Sequence, residues 1–596
     1  MAKSIEVCKQ SVIELLRTSR KNVFIIPEYQ RPYAWTEDEV ITLFSDIMNF
    51  VKNDGGAKDK NKTYFMGSIV SYENEAGEQE VIDGQQRLTS IFLLLRAIFD
   101  RLEKSESSSE YAQNFIGQIG PSIWSADPLS NKVDRSRPLI FTKVVGDRDS
   151  AVLMKILETG IAEKSARDNY SRNYCKFQEL FAEASREDAL GIYDFIYAVL
   201  NQAILLPITA GDQDSALTIF STLNNRGLPL SDADIFKAKI YGNLKAKEGD
   251  FKGFVREWQE LQERCERAHE SMQSLFYYFM FFLRAAEKDS DTTTPGVRKY
   301  FLADKCARLF DAALMDHFRE MMNFWEFVNC GLKAEEESWM SNSEIRCALD
   351  VLSSYPNEFW KYPVVIFYLV HHMRDGFDYS FLLFLRKLAA VLLSNYLVRP
   401  SVSAVKGAIL KLNVEIISSD TPRFAFGVVK SDEVKEKIKV PHTRMVRMML
   451  KILAYGQQKE LLPTPWEIEH ILPRKWKASY FPDQKEEYVN EMVEHIGNKI
   501  PFEKILNIVA SNGYFEKKRE EYSGSRIRMV KALSELQFAD WKIEQIIERD
   551  ADVAKSLMAL LDEYESAYER KGDNLDAAPT EEQKKQIALF KERGWI

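Results

Sequence analysis

The chain has 596 residues, with 80 Lys and Arg against 89 Asp and Glu, and a formal net charge of −9. Hydrophobic residues make up 45% and charged residues 28%, which is typical of a soluble globular protein and excludes a disordered chain, a collagen and a coiled-coil rod. The length predicts roughly three or four domains. The acidic balance excludes nucleic-acid binding by bulk positive charge, because phosphate affinity depends on Lys and Arg.

The six cysteines are scattered and form no Cys-x-x-Cys pair, which excludes both a structural zinc site and a secreted disulfide framework. The N-terminus lacks the apolar stretch of a signal peptide. The strongest apolar run, at 275–283, has nine residues, whereas a membrane span needs about 20. We therefore expect a cytoplasmic protein with no membrane partner, and a buried helix at this run.

The N-terminal third mixes helices and strands. Apolar spacing predicts a helix over 4–19, and a β-rich stretch over 23–35 follows it. Thr36 and Glu39 form a capping box that opens a helix to about residue 51. The sequences FMGSIVSY and EQEVIDG predict a β-hairpin, and the spacing over 88–102 predicts a helix directly after it.

The rest of the chain is mostly helical. Residues 105–250 include the helical sequence DSALTIFSTL, and a helix capped by Ser231 follows it. Residues 251–450 predict long amphipathic helices rich in aromatics, among which the pair His371-His372 is typical of packing rather than of a metal site. WEIEHILP predicts a short strand, 480–530 loops and helices, and DNLDAAPTEEQKK a polar linker before a final helix.

The C-terminal region contains an acidic residue next to a histidine at a strand end, Glu469-His470, with Asn498 and Asn507 beyond it. Carboxylate and amide oxygens suit a hard cation, and a neutral histidine can remove a proton from water. Phosphodiester hydrolysis requires both functions. The alternative is a buried histidine with an incidental carboxylate neighbour.

These residues lie in the sequences EHILP, HIGNKIPFEKILN and SNGYFEKKREEYSGS. Residues 469–525 resemble the HNH (ββα-metal) nuclease at the C-terminus of GmrSD-type modification-dependent restriction enzymes. The resemblance implies that Glu469 and Asn507 bind Mg²⁺ or Mn²⁺, that His470 is the catalytic base and that Asn498 orients the site.

The sequence departs from the family pattern in two places. Glu469 replaces the commoner Asp, and Lys499 stands where Leu is frequent. Lys518 and Ser525 match further family positions whose roles are less defined. The region Trp466–Val530 contains 11 Lys and Arg and 11 Asp and Glu, so it has no bulk basic field and DNA has to be held by folded geometry.

A second set of polar residues lies in IPEYQRPYAW, DGQQR (83–87) and NNRGLPLSDADIFK. A glycine turn at a helix start flanked by arginines suits a nucleotide's phosphates, with Asp83 for Mg²⁺ or a water and with Arg31 and Arg87 for phosphate charge. No Walker A sequence occurs. The alternative is a tight turn whose arginines pair with local acids, with Tyr29 and its aromatic neighbours, Tyr33 and Trp35, in the core.

The motifs D-G-Q-x-R and F-x-x-L-N-x-R-G resemble those of the ParB/sulfiredoxin-like nucleotide-hydrolysing domain of the same family, over residues ~10–245. The resemblance implies a nucleoside triphosphate (NTP) site in which Asp83 and Arg87 are also catalytic. Its predicted binding residues are Gln30, Arg31, Asp83, Gly84, Gln85, Gln86, Arg87, Asn224, Arg226 and Lys237.

The predicted fold class is α+β and predominantly helical. We expect a ParB/sulfiredoxin-like α/β domain at 1–250, a helical linker or scaffold at 251–430 and an HNH endonuclease domain at 431–596. The resemblance implies a type IV restriction endonuclease that cuts modified double-stranded phage DNA, regulated by NTP hydrolysis and acting as a homodimer. The alternatives are a ParB-like nucleotide-gated DNA sensor with a vestigial nuclease, and a toxin that cleaves RNA.

Overall fold

The computed structural model shows an α+β protein that is mostly helical. It divides into two compact units, Met1–Glu260 and Leu261–Ile596. The three-domain division predicted from the sequence stays a prediction. The structure describes residues 6–18, 23–53, 55–56, 59–104, 109–127, 130, 132–144, 150–163, 166–213, 215–217, 219, 231–333, 337–401, 403–427 and 429–573.

The first unit contains a mixed seven-stranded sheet in the order β1-β9-β4-β5-β3-β8, with β2 also paired to β9. Strands β4 and β9 are parallel, as are β5 and β3, whereas β4 and β5 form an antiparallel hairpin. A separate antiparallel pair is formed by β6 and β7. The strands are β1 Glu6–Val7, β2 Gln10–Ser11, β3 Phe24–Ile26, β4 Tyr64–Glu73, β5 Gln79–Asp83, β6 Trp124–Ala126, β7 Val133–Pro138, β8 Ile140–Thr142 and β9 Ala203–Ala210.

The central helix of this unit is Gln85–Glu103, which begins directly after β5 and is buried along almost its whole length. It packs against α4 and α6, so the strand-to-helix turn before it is fixed from both sides. The helices are α1 Val12–Thr18, α2 Glu37–Lys52, α3 Gln85–Glu103, α4 Glu110–Ile123, α5 Ser150–Thr159, α6 Asn169–Glu187, α7 Gly191–Tyr197 and α8 Asp232–Ala246, while the residues of α9 Phe251–Arg267 belong in part to each unit.

The second unit is helical apart from one antiparallel strand pair, β10 Trp466–His470 and β11 Lys499–Glu503, within its described residues. Its helices are α10 Met272–Ala286, α11 Val297–Leu302, α12 Leu314–Cys330, α13 Ser343–Leu352, α14 Lys361–His371, α15 Phe377–Val398, α16 Lys406–Ser418, α17 Ser431–Lys439, α18 Thr443–Tyr455, α19 Glu486–Val493, α20 Lys504–Ala510, α21 Phe515–Ser523, α22 Arg528–Ser534 and α23 Ile543–Asp573.

The apolar run at 275–283 is a buried helix segment, as predicted. Among the described helices α15 is long and apolar enough to cross a membrane by length and composition, and 78% of that apolar stretch is buried within the protein. None of the six cysteines, all of which lie in the described residues, forms a disulfide bond.

Several local predictions are confirmed. The capping box of Thr36 and Glu39 is present at the start of α2, the predicted hairpin is β4 and β5, and Ser231 caps α8. The helix predicted over 4–19 is wrong at its start, because β1 and β2 add to the edge of the sheet beside β9. DSALTIFSTL lies largely outside the described residues, as do the linker beyond residue 573 and the final helix.

Candidate functional site

The N-terminal candidate site lies at the carboxyl edge of the parallel strands β3 and β5. The segment 27–35 follows β3 and the DGQQR turn follows β5, so both meet at this edge. The side-chain amide of Gln30 joins them by donating to the carbonyl of Ile82 at 3.0 Å. A cavity of 320 Å³ opens there, lined by Tyr29, Gln30, Arg31, Trp35, Ile82, Asp83, Gly84, Gln85, Gln86, Arg87, Leu217, Asp234 and Ala238.

Two glycines make room for Arg87. The Arg87 guanidinium donates to the carbonyl of Ser68 at 2.9 Å, and a Cβ atom at Gly67 would lie 2.8 Å from Arg87 Nη1. Gly84 precedes α3 in the left-handed region, with φ +88°, and a Cβ there would lie 3.0 Å from the Ser68 carbonyl. The close approach of backbone and guanidinium therefore depends on glycine at both positions.

Hydrogen bonds from Gln85 and Gln86 connect the segment 31–35 to the start of α3. The Gln86 side-chain oxygen accepts from the backbone N–H of Ala34 at 2.7 Å, and its amide donates to the Pro32 carbonyl at 3.1 Å. The Gln85 amide donates to the carbonyl of Arg31 at 3.3 Å. These side chains hold the loop that places Arg31 and its aromatic neighbours at the cavity.

The cavity combines a carboxylate with two guanidinium groups. Burial raises the pKa of Asp83, and the N–H of Gly84 and the charges of Arg87 and Arg31 oppose that shift. Burial likewise lowers the pKa of Arg87, against the effect of Asp83. Cationic side chains and helix N-terminal N–H groups in one partly desolvated cavity suit a phosphate group.

The remaining residues predicted for this site differ in whether they line the cavity. Tyr33 is buried in the core, Tyr29 is buried and lines the cavity, and Trp35 is half-buried and also lines it. Lys237 is buried on α8 between two cavity-lining residues but does not line the cavity itself. Asn224 and Arg226 lie outside the described residues.

Lys237 gives a pH-dependent contribution to stability. Burial lowers the pKa of its amine to about 8, opposed by Asp234. Between about pH 8 and pH 10 the unfolded chain then holds more protons than the folded chain, so the Lys237 contribution to stability rises with pH. Below that window the buried amine destabilises the fold by a constant amount.

We therefore expect Lys237→Met to raise the Tm at pH 7, and its advantage over the wild type to shrink as the pH approaches 10. Calorimetry at several pH values measures the difference. The exposed Lys247, at the end of the same helix, provides the control Lys247→Met, which should show no such trend. If the Tm difference between Lys237→Met and the wild type does not change with pH, the lowered pKa of Lys237 is not the cause of that difference.

The C-terminal candidate site is built on β10, β11 and the helix α20 that directly follows β11. In the antiparallel pair Glu469 faces Ile500, and His470 faces Lys499. Asn507 on α20 reaches back to β10, where its amide donates to Glu467 Oε2 at 3.3 Å. Because side chains alternate along a strand, Glu467 and Glu469 share one face.

Glu469 is buried and forms an ion pair with Lys518 of α21, with 2.5 Å between its Oε1 atom and Nζ. The hydroxyl of Tyr522 also donates to it, at 3.4 Å. Burial raises the pKa of Glu469, and Lys518 opposes that shift. The Lys518 ammonium donates as well to the carbonyls of His470 at 2.6 Å and Ile471 at 3.3 Å, so it binds both the carboxylate and the strand end.

Asn498 also binds the backbone directly after β10. Its side chain is completely buried, accepts from the N–H of Leu472 at 2.7 Å and donates to the Leu472 carbonyl at 3.0 Å. Its backbone carbonyl accepts from the N–H of Ile471 at 2.9 Å. The backbone after His470 is therefore held by Lys518 on one side and by Asn498 on the other.

His470 is largely buried, and its Nε2 atom lies 3.6 Å from Glu494 Oε2. That nitrogen has no hydrogen-bond partner among the described residues. Burial lowers the pKa of His470 to about 4, Arg474 adds to the shift and Glu494 opposes it. The imidazole is therefore neutral near pH 7, the state that a proton acceptor needs.

Carboxylate and amide oxygens are the ligands that a hard divalent cation prefers, and Glu467, Glu469 and Asn507 carry such oxygens. The Glu467 side chain is 45% exposed and contacts Asn507, whereas that of Glu469 is 8% exposed and paired with Lys518. The sequence prediction missed Glu467, although its position two residues before Glu469 could have indicated it. Within the described part of the chain, no group of three His, Cys, Asp and Glu side chains forms a metal site.

The Glu469–Lys518 pair predicts a specific stability change. Lys518→Met should destabilise the protein by about 3–5 kcal/mol, because it leaves a buried carboxylate without its counter-charge. Adding Glu469→Gln should recover most of that loss, since the remaining group is neutral. Urea unfolding measures both variants, with Lys517→Met at the exposed neighbouring position as the control. If Lys518→Met costs no more than Lys517→Met, the pair does not stabilise the fold.

His371 lies in the core, and its Nε2 atom contacts the carbonyl of Ile416 at 2.9 Å. The packing role predicted for this histidine is confirmed.

Comparison with known proteins gives matches over both candidate sites. Residues 12–241 match the model described as GmrSD restriction endonuclease, N-terminal domain, and 428–556 match that described as GmrSD restriction endonucleases, C-terminal domain. An uncharacterized protein of Methanocaldococcus jannaschii is 20% identical over 256 residues, which are 40% of this chain and 43% of that protein. The alignment thus spans less than half the length of that relative.

Proposed function

The chain belongs to the GmrSD restriction endonuclease family, and from this premise we propose that it is a modification-dependent, type IV enzyme. As a restriction endonuclease it acts on DNA. Its proposed substrate is double-stranded phage DNA with modified bases, for example hydroxymethylated or glucosylated cytosine. The observation that carries the nuclease assignment is the neutral, partly enclosed His470 at the end of β10, a strand that also carries Glu467 and Glu469 and that Asn507 of α20 contacts.

His470 is proposed to remove a proton from the water whose oxygen attacks the phosphorus, while the bond to the leaving oxygen breaks. The oxygens of Glu467, Glu469 and Asn507 would hold Mg²⁺ or Mn²⁺. A divalent cation there would neutralise the charge that develops on the phosphate. Lys518 and Asn498 would keep the His470 backbone in place through their bonds to residues 470–472.

The N-terminal cavity is proposed to bind and hydrolyse an NTP and thereby to regulate cleavage. Arg31 and Arg87 would contact the phosphates, together with N–H groups at the start of α3, and Asp83 would orient the water or a cation. The resemblance of this region to ParB/sulfiredoxin-like domains supports the proposal.

A homodimer in the cytoplasm is also proposed. A double-strand break needs two cuts, and one chain presents one such strand-end site in its described residues. Two alternatives remain: a ParB-like, nucleotide-gated DNA sensor whose nuclease is vestigial, and a toxin that cleaves RNA. The retained set of Glu469, His470 and Asn507 favours a working nuclease over a vestigial one.

Digestion of defined nucleic acids tests the nuclease. DNAs with glucosylated hydroxymethylcytosine, hydroxymethylcytosine, phosphorothioate or no modification, and an RNA, would be incubated with Mg²⁺, with and without NTPs. We expect one modified DNA to be cut, and His470→Ala to lower the rate by about 10²- to 10⁴-fold, the usual contribution of a general base. A rate that rises more steeply than linearly with enzyme concentration indicates a pair of chains.

The control for this test is His442→Asn at an exposed histidine that caps α18, which should cut like the wild type. Cleavage of RNA alone would support the toxin. NTP turnover that Arg87→Ala abolishes, without cleavage of any nucleic acid, would support the sensor.

Gly67 and Gly77 provide a matched pair for the NTP site. Both have positive φ in the β4–β5 hairpin, +112° and +77°, but a Cβ at Gly67 would meet Arg87 whereas nothing lies within 4 Å of one at Gly77. We expect Gly67→Ala to lower NTP turnover by roughly 10-fold or more through displacement of Arg87, and Gly77→Ala to leave it nearly unchanged. Phosphate release measures both, and equal turnover would exclude a role for the Gly67–Arg87 contact in the reaction.

A further inference from the structure

The segment 495–499, which carries Asn498, is bound by the long C-terminal helix α23. Asp550 on that helix accepts from the N–H of Gly497 at 2.6 Å, and its second oxygen lies 2.6 Å from His495 Nδ1. Arg549 Nη1 reaches the carbonyls of Gly497 at 2.8 Å and Lys499 at 3.0 Å. Two adjacent side chains of α23 therefore hold the backbone on both sides of Asn498.

The contact between α23 and this segment leaves no room for a side chain at Gly497. A Cβ atom there would lie 2.3 Å from the carbonyl oxygen of Ile546 and 2.8 Å from Asp550 Oδ1. Asp550 is only 3% exposed. A buried carboxylate is costly unless it is paired or hydrogen-bonded, so its contacts with Gly497 and His495 are expected to persist.

The same segment leads directly to the proposed catalytic base. Asn498 lies between the two residues whose carbonyls Arg549 binds, and its side chain is bonded to both backbone groups of Leu472. Leu472 is two residues beyond His470. The buried Asn498 therefore connects the segment held by α23 to the backbone that directly follows His470.

The far end of α23 is fixed as well. The Tyr568 hydroxyl donates to the carbonyl of Pro422 at 2.7 Å, and Glu565 lies 3.6 Å from Lys387 of α15. Arg549 and Tyr568 are 19 residues apart on one helix, about 28 Å at 1.5 Å per residue. A helix that is packed at both ends gives the site a stiff support.

We propose that Arg549 and Asp550 are positioning residues of the nuclease centre, which set the geometry of His470 through the segment 495–499. This inference rests on the proposed nuclease function of His470. Neither residue contacts the substrate in this assignment. Their effect is on the rate of the chemical step rather than on DNA affinity.

The test uses Arg549→Met, Arg549→Lys and Asp550→Asn in the full chain, with Glu548→Gln as the control at an exposed position next to them. We expect Arg549→Met to lower kcat by about 10- to 100-fold with little change in DNA affinity, the size of effect that outer-shell supports of catalytic groups have. Arg549→Lys should recover part of kcat, because an ammonium can still bind a carbonyl of the segment. Glu548→Gln should behave as the wild type.

Hydrogen exchange gives a readout that does not depend on catalysis. Arg549→Met should speed exchange in peptides that cover 495–503 and 466–473, while Glu548→Gln leaves both unchanged. An unchanged kcat, unchanged exchange in these peptides, or a kcat loss that only follows the unfolded fraction would each overturn the proposal. If the wild type cuts no nucleic acid, the proposed function fails, and unchanged exchange at 466–473 would then independently refute the structural link.

Discussion

The buried ion pair between Glu469 and Lys518 is the constraint on which the C-terminal centre depends. A carboxylate at this depth needs a counter-charge, because an unpaired buried charge costs several kcal/mol. Lys518 supplies it from α21 and uses the same ammonium to bind the carbonyls of His470 and Ile471. The Lys518 ammonium that neutralises Glu469 therefore also fixes the end of β10, from which His470 projects. If α21 moved away from β10, the Glu469 carboxylate would lose its counter-charge and the two carbonyls would lose their donor.

The N-terminal and C-terminal candidate sites share one structural feature. In each site a buried side-chain amide binds backbone groups of the segment that follows a strand, which is β3 in the N-terminal site and β10 in the C-terminal site. Gln86 does this for residues 32–35, as Asn498 does for Leu472. In both places buried amide side chains meet backbone donors and acceptors, and the charged side chains Arg87 and Lys518 bind backbone carbonyls as well.

Features set by neighbouring residues were predictable from the sequence, and features set by distant ones were not. The Thr36–Glu39 capping box and the strand at 466–470 follow from local patterns, and both are present. Strand β9 was missed because its short apolar run AILLPITA fits a buried helix as well as a strand, and its pairing with β4 joins residues about 140 apart. Strand β11 was missed in a stretch with no alternation, and Arg549 and Asp550 lie some 50 residues beyond the segment that they hold.

The sequence motif of the proposed nuclease centre covers fewer residues than the structure that supports it. Two strands alone are marginally stable in water, so β10 and β11 require helices packed against them. Beyond the span 469–525 these include α23 through Asp550 and α18 through Arg447, which donates to the Trp466 carbonyl at 2.9 Å and stacks on its ring. The far end of α23 is held in turn by α15 and the segment around Pro422. Part of the helical region between the two family-matched segments, α15 and the residues around Pro422, therefore fixes the helix that supports Asn498.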